Sequence, residues 1–241
     1  MGHDLQPLDI DVQALMRGLV HELRNPLSAI LTASSLLPGS EGLEEETVML
    51  LDVVSKEARR MNRILTEFST FAKPPKAHPE PVDIAAIVRE EARAIAEPGA
   101  PIVIHDDMPT QLWAQADPHG TTQSITNIFE NAREVLPEGG HIRLTGGEKE
   151  GHVWVAINDS GPGLSENALE RAFHPFFSNK PASTGLGLSI ARMVLRASGG
   201  DCWIENAHDG GPNGAIVTIE LPLAKPREES QTESNTALQT A

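Results

Sequence analysis

In the stretch LVHELRNPLSAI, residues 19–30, His21 stands beside Glu22 and one helical turn before Asn25. An exposed imidazole is a nucleophile that can accept a large substituent without disturbing a core. An adjacent carboxylate can hold one ring nitrogen protonated or take its proton. NIFENA sets Asn127 and Asn131 four residues apart, hence on one helix face. Amide oxygens are neutral hard ligands, suited to a Mg2+ ion that phosphates also hold. NDSGPGL follows a strand pattern. There Asp159 can accept a hydrogen bond from an exocyclic amine, and Gly161 and Gly163 let backbone approach a ligand. STGLGLSIARMVL puts Gly185 and Gly187 at the start of a helix, where exposed amides cradle polyphosphate. Just before it, in AFHPFFSNKPAS, Phe173, Phe176 and Phe177 can anchor a mobile lid and Lys180 can reach a phosphate. Taken singly, each stretch also fits a plain role: a solvated helix face, an ordinary turn, or a loop with an aromatic anchor.

The elements that must position these residues fall into two regimes. Residues 9–37 and 43–72 are long helical patterns with few glycines, separated by the turn signal PGSEG. In the first, Val12, Leu15, Met16, Leu19, Leu23, Leu27 and Ile30 form one broad apolar stripe. His21 lies about 180° around that wheel from Val12 and Ile30, with Gly18, Arg24, Asn25, Ser28 and Thr32 on the same outward side. In the second, Leu51, Val54, Ala58, Met61, Leu65, Phe68 and Ala72 follow an alternating three–four spacing, the seam of a coiled coil. Two helices bury little alone, and a two-fold dimer completing a four-helix bundle is the economical solution.

KPPKAHPEP then breaks the helix, since clustered prolines cannot continue it. Beyond it, elements alternate. Asp83 caps a helix to about Glu97, and Asp117 caps one through Leu136, stopped by PEGG. PIVIH and QLWAQA read as short strands, and HIRLTGG with HVWVAIND as an antiparallel pair. A glycine- and proline-rich region leads to a helix near 186–198, and DCWIEN and AIVTIEL close the pattern as strands. The polar tail, 225–241, has too little apolar content to order and is expected to be disordered.

Bulk composition narrows the classes. Of 241 residues, 39% are hydrophobic and 22% charged, as in an ordinary globular protein. The net charge of −15 disfavours nonspecific binding to nucleic acid or anionic membrane, while a local pocket can still take a small polyanion. A single cysteine, Cys202, precludes an internal disulfide and fits a reducing compartment. With no long apolar run and no signal peptide, the expectation is a cytoplasmic chain without a membrane segment.

The four chemical stretches in this order resemble the transmitter core of a bacterial sensor histidine kinase. HELRNPL looks like its histidine box, NIFENA like its asparagine box, DSGPG and GLGL like its two glycine boxes, and FHPFF like its phenylalanine box. The resemblance covers roughly residues 9–223. It implies an α+β protein: an antiparallel helical hairpin forming a dimeric four-helix bundle, then an α/β sandwich of the kind shared with gyrase and Hsp90. The implied division is a dimerisation and histidine-phosphotransfer domain at 1–75, a linker at 76–80 and a catalytic ATP-binding domain at 81–224. His21 would receive the γ-phosphoryl group of ATP and pass it to an aspartate of a response-regulator receiver domain. Glu22 would be its acid–base partner, and Asn25 would hold water for the reverse, phosphatase reaction. Asp159 would recognise adenine, Asn131 assisted by Asn127 would carry Mg2+, and Gly161, Gly163, Lys180 and Thr184, Gly185, Leu186, Gly187 and Leu188 would line the nucleotide.

The chain departs from the pattern at Ser183, where many relatives have glycine, and at Glu134, where others often carry a basic residue. Only about a dozen residues precede the first helix, which leaves two expectations open: sensing through a separate partner, or an excised core. A rival reading is an ATP-hydrolysing clamp of the same nucleotide fold. Such ATPases place a water-activating glutamate four residues before the metal-binding asparagine, and this chain has Asn127 there. A non-enzymatic dimeric scaffold is the second rival, set against the filling of every key position.

Overall fold

The computed structural model describes residues 12–36, 45–72, 76–96, 101–178, 183–207 and 214–224. The chain opens with two long helices, α1 (Val12–Leu36) and α2 (Glu45–Ala72). They pack antiparallel, with Arg60 of α2 reaching Glu22 of α1 at 3.6 Å. The turn signal PGSEG lies outside the described residues. Pro26 sits within α1, where it removes one backbone hydrogen bond without ending the helix.

The inward face of this hairpin differs from the expected stripes. Among the described side chains, Leu19, Pro26 and Ala33 of α1 are buried, each seven residues from the last, together with Ile64 and Phe71 of α2. Leu27, expected inside, is 46% exposed, and Leu51 and Leu65 of the expected seam are 44% and 48% exposed. Ala58 and Ala72 are exposed too, while Val54, Met61 and Phe68 are half-buried. Both helices therefore carry two apolar lines, one spent within the protomer and one left outside.

The second unit is built on a five-stranded mixed sheet in the order β2-β4-β5-β7-β6. Its strands are β2 (Ile102–Asp106), β4 (Gly140–Lys149), β5 (His152–Asp159), β6 (Asp201–Asn206) and β7 (Ala215–Pro222). Only the β2–β4 pair is parallel. A two-stranded antiparallel sheet joins β1 (Glu80–Asp83) to β3 (Trp113–Ala116). Helices α3 (Ile84–Ala96) and α4 (Pro118–Val135) bury Val88, Ile125, Ile128 and Phe129 against Ile142, Leu144, Val155 and Ile219 of the sheet. The short α5 (Glu166–Arg171) and α6 (Gly187–Ala197) complete the unit.

Strand and helix signals in this half translate closely into structure. Asp83 accepts the amides of Ala85 and Ala86 at the start of α3, and Asp117 accepts that of Gly120 at the start of α4. HIRLTGG and HVWVAIND pair antiparallel as β4 and β5. Two elements were not expected: β1, inside the proline-broken stretch, and α5, inside the glycine- and proline-rich one. The tail 225–241 and Lys180 lie outside the described residues.

Candidate functional site

Three pieces of backbone close around a cavity of about 320 Å³: one face of α4, the end of β5 with the turn after it, and the start of α6. Ile128, Asn131, Ala132 and Val135 share a face of α4 by helical spacing and line it together. Ile157 and Asp159, two apart on β5, point to the same side of the strand and join them. Val217 and Ile204 close the apolar floor.

Asp159 is nearly buried, and its carboxylate is held rather than mobile. Oδ1 accepts the amide of Gly161 at 2.8 Å and that of Ala215 at 3.4 Å. Charged acceptors are paid for in burial only by such hydrogen bonds. Gly163 has φ +72°, and a side chain there would meet the Asn206 amide oxygen at 2.9 Å. That amide receives Leu164 N–H at 2.8 Å, pinning the turn to β6.

On α4, the Asn131 side-chain nitrogen donates to the Asn127 carbonyl at 2.9 Å, and that of Asn127 donates to the Gly187 carbonyl at 3.2 Å. The two amides and the α6 start are thus one connected unit. Gly187 faces it without crowding, since a Cβ there would lie 3.6 Å from the Asn131 nitrogen. No side chain caps the start of α6. Gly187 and Leu188 of its first turn line the cavity, and the free amides and positive dipole end of a helix start suit polyanionic phosphates. Gly185 has φ +67°, and a Cβ would come within 2.6 Å of Phe176 and Phe177 backbone, so only glycine fits. Thr184 is buried and its hydroxyl accepts Leu186 N–H at 3.3 Å. Leu186 is buried and Leu188 lines the cavity.

Of the expected residues of the second half, Asn131, Asp159, Gly163, Gly185, Gly187 and Leu188 line the cavity, while Asn127, Gly161, Thr184 and Leu186 adjoin it without lining it and Lys180 is outside the described set. Phe177 lines the cavity, Phe176 packs toward α2, and Phe173 lies under the Arg192 guanidinium at 4.9 Å. Sequence reasoning missed the apolar walls, Ile128, Val135, Ile157 and Val217. Their signal was the helical and strand spacing around Asn131 and Asp159. His21 lies in the middle of α1, with its ring outside the described set, and Glu22 beside it reaches Arg60. Of the residues expected on the outward side, Arg24, Asn25, Ser28 and Thr32 are exposed, whereas Gly18 is half-buried against the Phe176 ring.

A deep apolar slot ending in a fixed carboxylate, next to paired amides and an uncapped helix start, fits a purine nucleotide with its phosphates and a hard cation. Comparison with known proteins agrees. The family model described as histidine kinase-, DNA gyrase B- and HSP90-like ATPase matches residues 116–225, and that of the His Kinase A (phospho-acceptor) domain matches residues 11–76. The chain belongs to the sensor histidine kinases and comprises their transmitter core, a phospho-acceptor region followed by an ATP-binding domain. Sporulation kinase E of Bacillus subtilis is 31% identical over 225 residues, which cover 90% of this chain and 29% of that protein. Sensor histidine kinase ZraS of Escherichia coli K12 is 30% identical over 223 residues, covering 90% of this chain and 47% of that one. The chain thus spans less than half the length of these relatives. The solved structure of histidine kinase ThkA in complex with response regulator protein TrrA superposes with a TM-score of 0.71 at 25% identity, over 88% of this chain and 61% of that one. Among the described residues, no helix is long and apolar enough to cross a membrane.

Proposed function

We propose that the chain is an ATP-dependent protein-histidine kinase of a two-component system, which phosphorylates His21 and passes the phosphoryl group to a response-regulator aspartate. The observation that carries this reading is that Asn131, Asp159 and Gly187 line one and the same cavity. It sits on the same chain as a histidine one turn from an asparagine on a polar helix face.

Asp159 accepts a hydrogen bond from the adenine amine, its orientation fixed by the two backbone amides. Ile128, Val135, Ile157 and Val217 exclude water from the ring. Asn131, with Asn127, would supply amide oxygens to Mg2+, and the ion would neutralise charge on the phosphates. The backbone from Gly185 to Leu188 holds the phosphates, with Thr184 and Lys180 as side-chain contacts. A ring nitrogen of His21 attacks the γ-phosphorus, the bond to the β-phosphate oxygen breaks, and ADP leaves. Glu22 holds or takes the proton on the other ring nitrogen. Positioning and charge stabilisation carry most of the rate.

The proposed organisation is a dimerising phosphotransfer domain at 1–75, a linker at 76–80, a catalytic domain at 81–224 and a tail at 225–241. The proposed setting is cytoplasmic, as a homodimer facing a receiver domain. The complex of ThkA with its response regulator supports the receiver-domain partner.

The test is incubation with γ-labelled ATP and Mg2+, followed by acid and base treatment. A phosphoramidate on His21 is lost in acid and kept in base. His21→Gln should abolish label and leave ATP binding intact. Undiminished labelling of that variant sinks the assignment, and ATP turnover without a phosphoprotein favours the hydrolysing clamp.

A further inference from the structure

The phosphate cradle is tied to the helical hairpin by contacts that phosphoryl transfer itself does not require. The Thr184 hydroxyl donates to the Glu67 carboxylate of α2 at 2.5 Å. Two residues on, Leu186 forms an apolar cluster with Ile190 and Val194 of α6 and Phe71 of α2, with Phe68 and Phe176 packed against it. Phe176 also fills the space at Gly18 of α1, where a Cβ would lie 2.5 Å from its ring. The same phenylalanine abuts Gly185. The cradle thus grips α2 through Thr184 and α1, one turn before His21, through Phe176.

We propose that Glu67 is a positioning residue that competes with the nucleotide's phosphates for the Thr184 hydroxyl, so that ATP binding undocks α6 from α2. This rests on the reading of the cavity as an ATP site. A threonine hydroxyl has one proton to donate, either to Glu67 or to a phosphate oxygen. A carboxylate and a triphosphate cannot share it at contact distance, because both are anionic. Competition is reciprocal: docking weakens ATP affinity by the factor by which ATP weakens docking. In the docked arrangement Phe176 covers α1 beside His21, and releasing Thr184 loosens the segment that holds it there.

The surroundings of Glu67 add a second readout. Burial pushes its carboxyl above the ordinary glutamate range, opposed by the Thr184 hydroxyl and by Arg63 of its own helix, and reinforced by Glu130 and Glu134 of α4. The docked state therefore binds this proton more tightly than the undocked one. Docking gains as pH falls through the raised value toward 4.5, and is weakened as pH rises above it. ATP affinity must then fall on acidification.

The test is calorimetric titration of the magnesium complex of ATP into the whole chain, Glu67→Ala and Glu67→Gln between pH 8 and pH 5, with amide hydrogen exchange followed over residues 64–72. Glu67→Ala is expected to bind ATP about fivefold more tightly, the effect of weakening a competing state by ~1 kcal/mol. Glu67→Gln keeps an acceptor for Thr184 and mimics the protonated carboxyl, so it should bind ATP more weakly than the wild type at pH 8, approach it as pH falls, and lose the additional acid dependence. The difference between wild type and this isosteric variant cancels the titration of ATP's own phosphates. In the wild type, ATP should speed exchange at Phe68–Phe71. ATP binding that is indifferent to both substitutions, or exchange there that slows with ATP, overturns the proposal alone. A wild type that binds no ATP overturns the ATP-site reading and the proposal with it. Should the alanine variant unfold, the pH profile of the glutamine variant decides.

Discussion

Asn25 projects from α1 one turn after His21, and it is exposed. A receiver domain docked over His21 brings its aspartyl-phosphate to this surface. The amide offers one carbonyl acceptor and an NH2 donor, so it can orient a water without becoming a competing nucleophile. An arginine there would bind phosphate but could not accept the water's proton in a hydrogen bond. Asn25→Arg or Asn25→Ala is therefore expected to lower dephosphorylation of the cognate regulator by about tenfold or more, the loss of one ~1.4 kcal/mol transition-state contact. Labelling of His21 should be largely kept. The alternative is that Asn25 only eases the helix into Pro26. Measuring both rates on one variant separates the two: equal losses reject a phosphatase role.

At the scale of elements, α6 matters most, because its first turn is the proposed phosphate cradle and its far side anchors it to the sheet. Arg192 and Arg196 grip Asp201 of β6 from one helix face, each through two hydrogen bonds of 2.8–3.2 Å. Partial burial alone would raise the Asp201 carboxyl, but the two guanidinium groups and the Cys202 amide outweigh it and hold the group at about 2. A depressed carboxylate adds stability that is full above the ordinary aspartate value of 3.8 and is lost as pH falls toward 2. Asp201→Asn should cost about 1–2 kcal/mol at neutral pH, allowing for solvent screening of a partly exposed pair. Urea unfolding at pH 7 checks it, and the deficit should vanish near pH 2. Elements like α4 and α6 were legible because their signals are local: an Asp117 cap, a glycine start, an apolar period. β1 was not, since four residues that follow one proline and contain another become a strand only by pairing with β3, some thirty residues away. α5, with six residues, is too short for its period to show, although Ser165 caps it through Ala168 N–H. The cavity walls were legible in principle, as neighbours of Asn131 and Asp159 at the right spacing. Glu67 was not, because nothing local in α2 announces a contact with Thr184.

At the scale of the molecule, the hairpin is the part whose surface does not close on itself. Eight of the eleven exposed large apolar side chains among the described residues lie on α1 and α2. Leu51 and Leu65 are two heptads apart with the exposed Ala58 between them, and Val20 and Leu27 are one heptad apart on α1. Seven-residue spacing keeps each set on one line along its helix. Isolated exposed leucines need no explanation, but two continuous lines on adjacent helices do. Of the expected seam, Leu51, Ala58, Leu65 and Ala72 are exposed in the protomer and Val54, Met61 and Phe68 are half-buried. Its Leu51, Ala58 and Leu65 are the exposed positions that a second hairpin would cover, while Phe68 and Phe71 are spent on α6 and Ile64 is buried within the protomer. A two-fold bundle buries the free lines, and each substitution then enters twice. Leu65→Glu would bury a charge at that seam. Even ~2 kcal/mol per copy weakens association by about a thousandfold. Sedimentation should find the wild type dimeric and the variant monomeric, with ATP binding retained because the nucleotide cavity draws no wall from this line. A wild-type monomer, or a variant that stays dimeric, rejects the bundle.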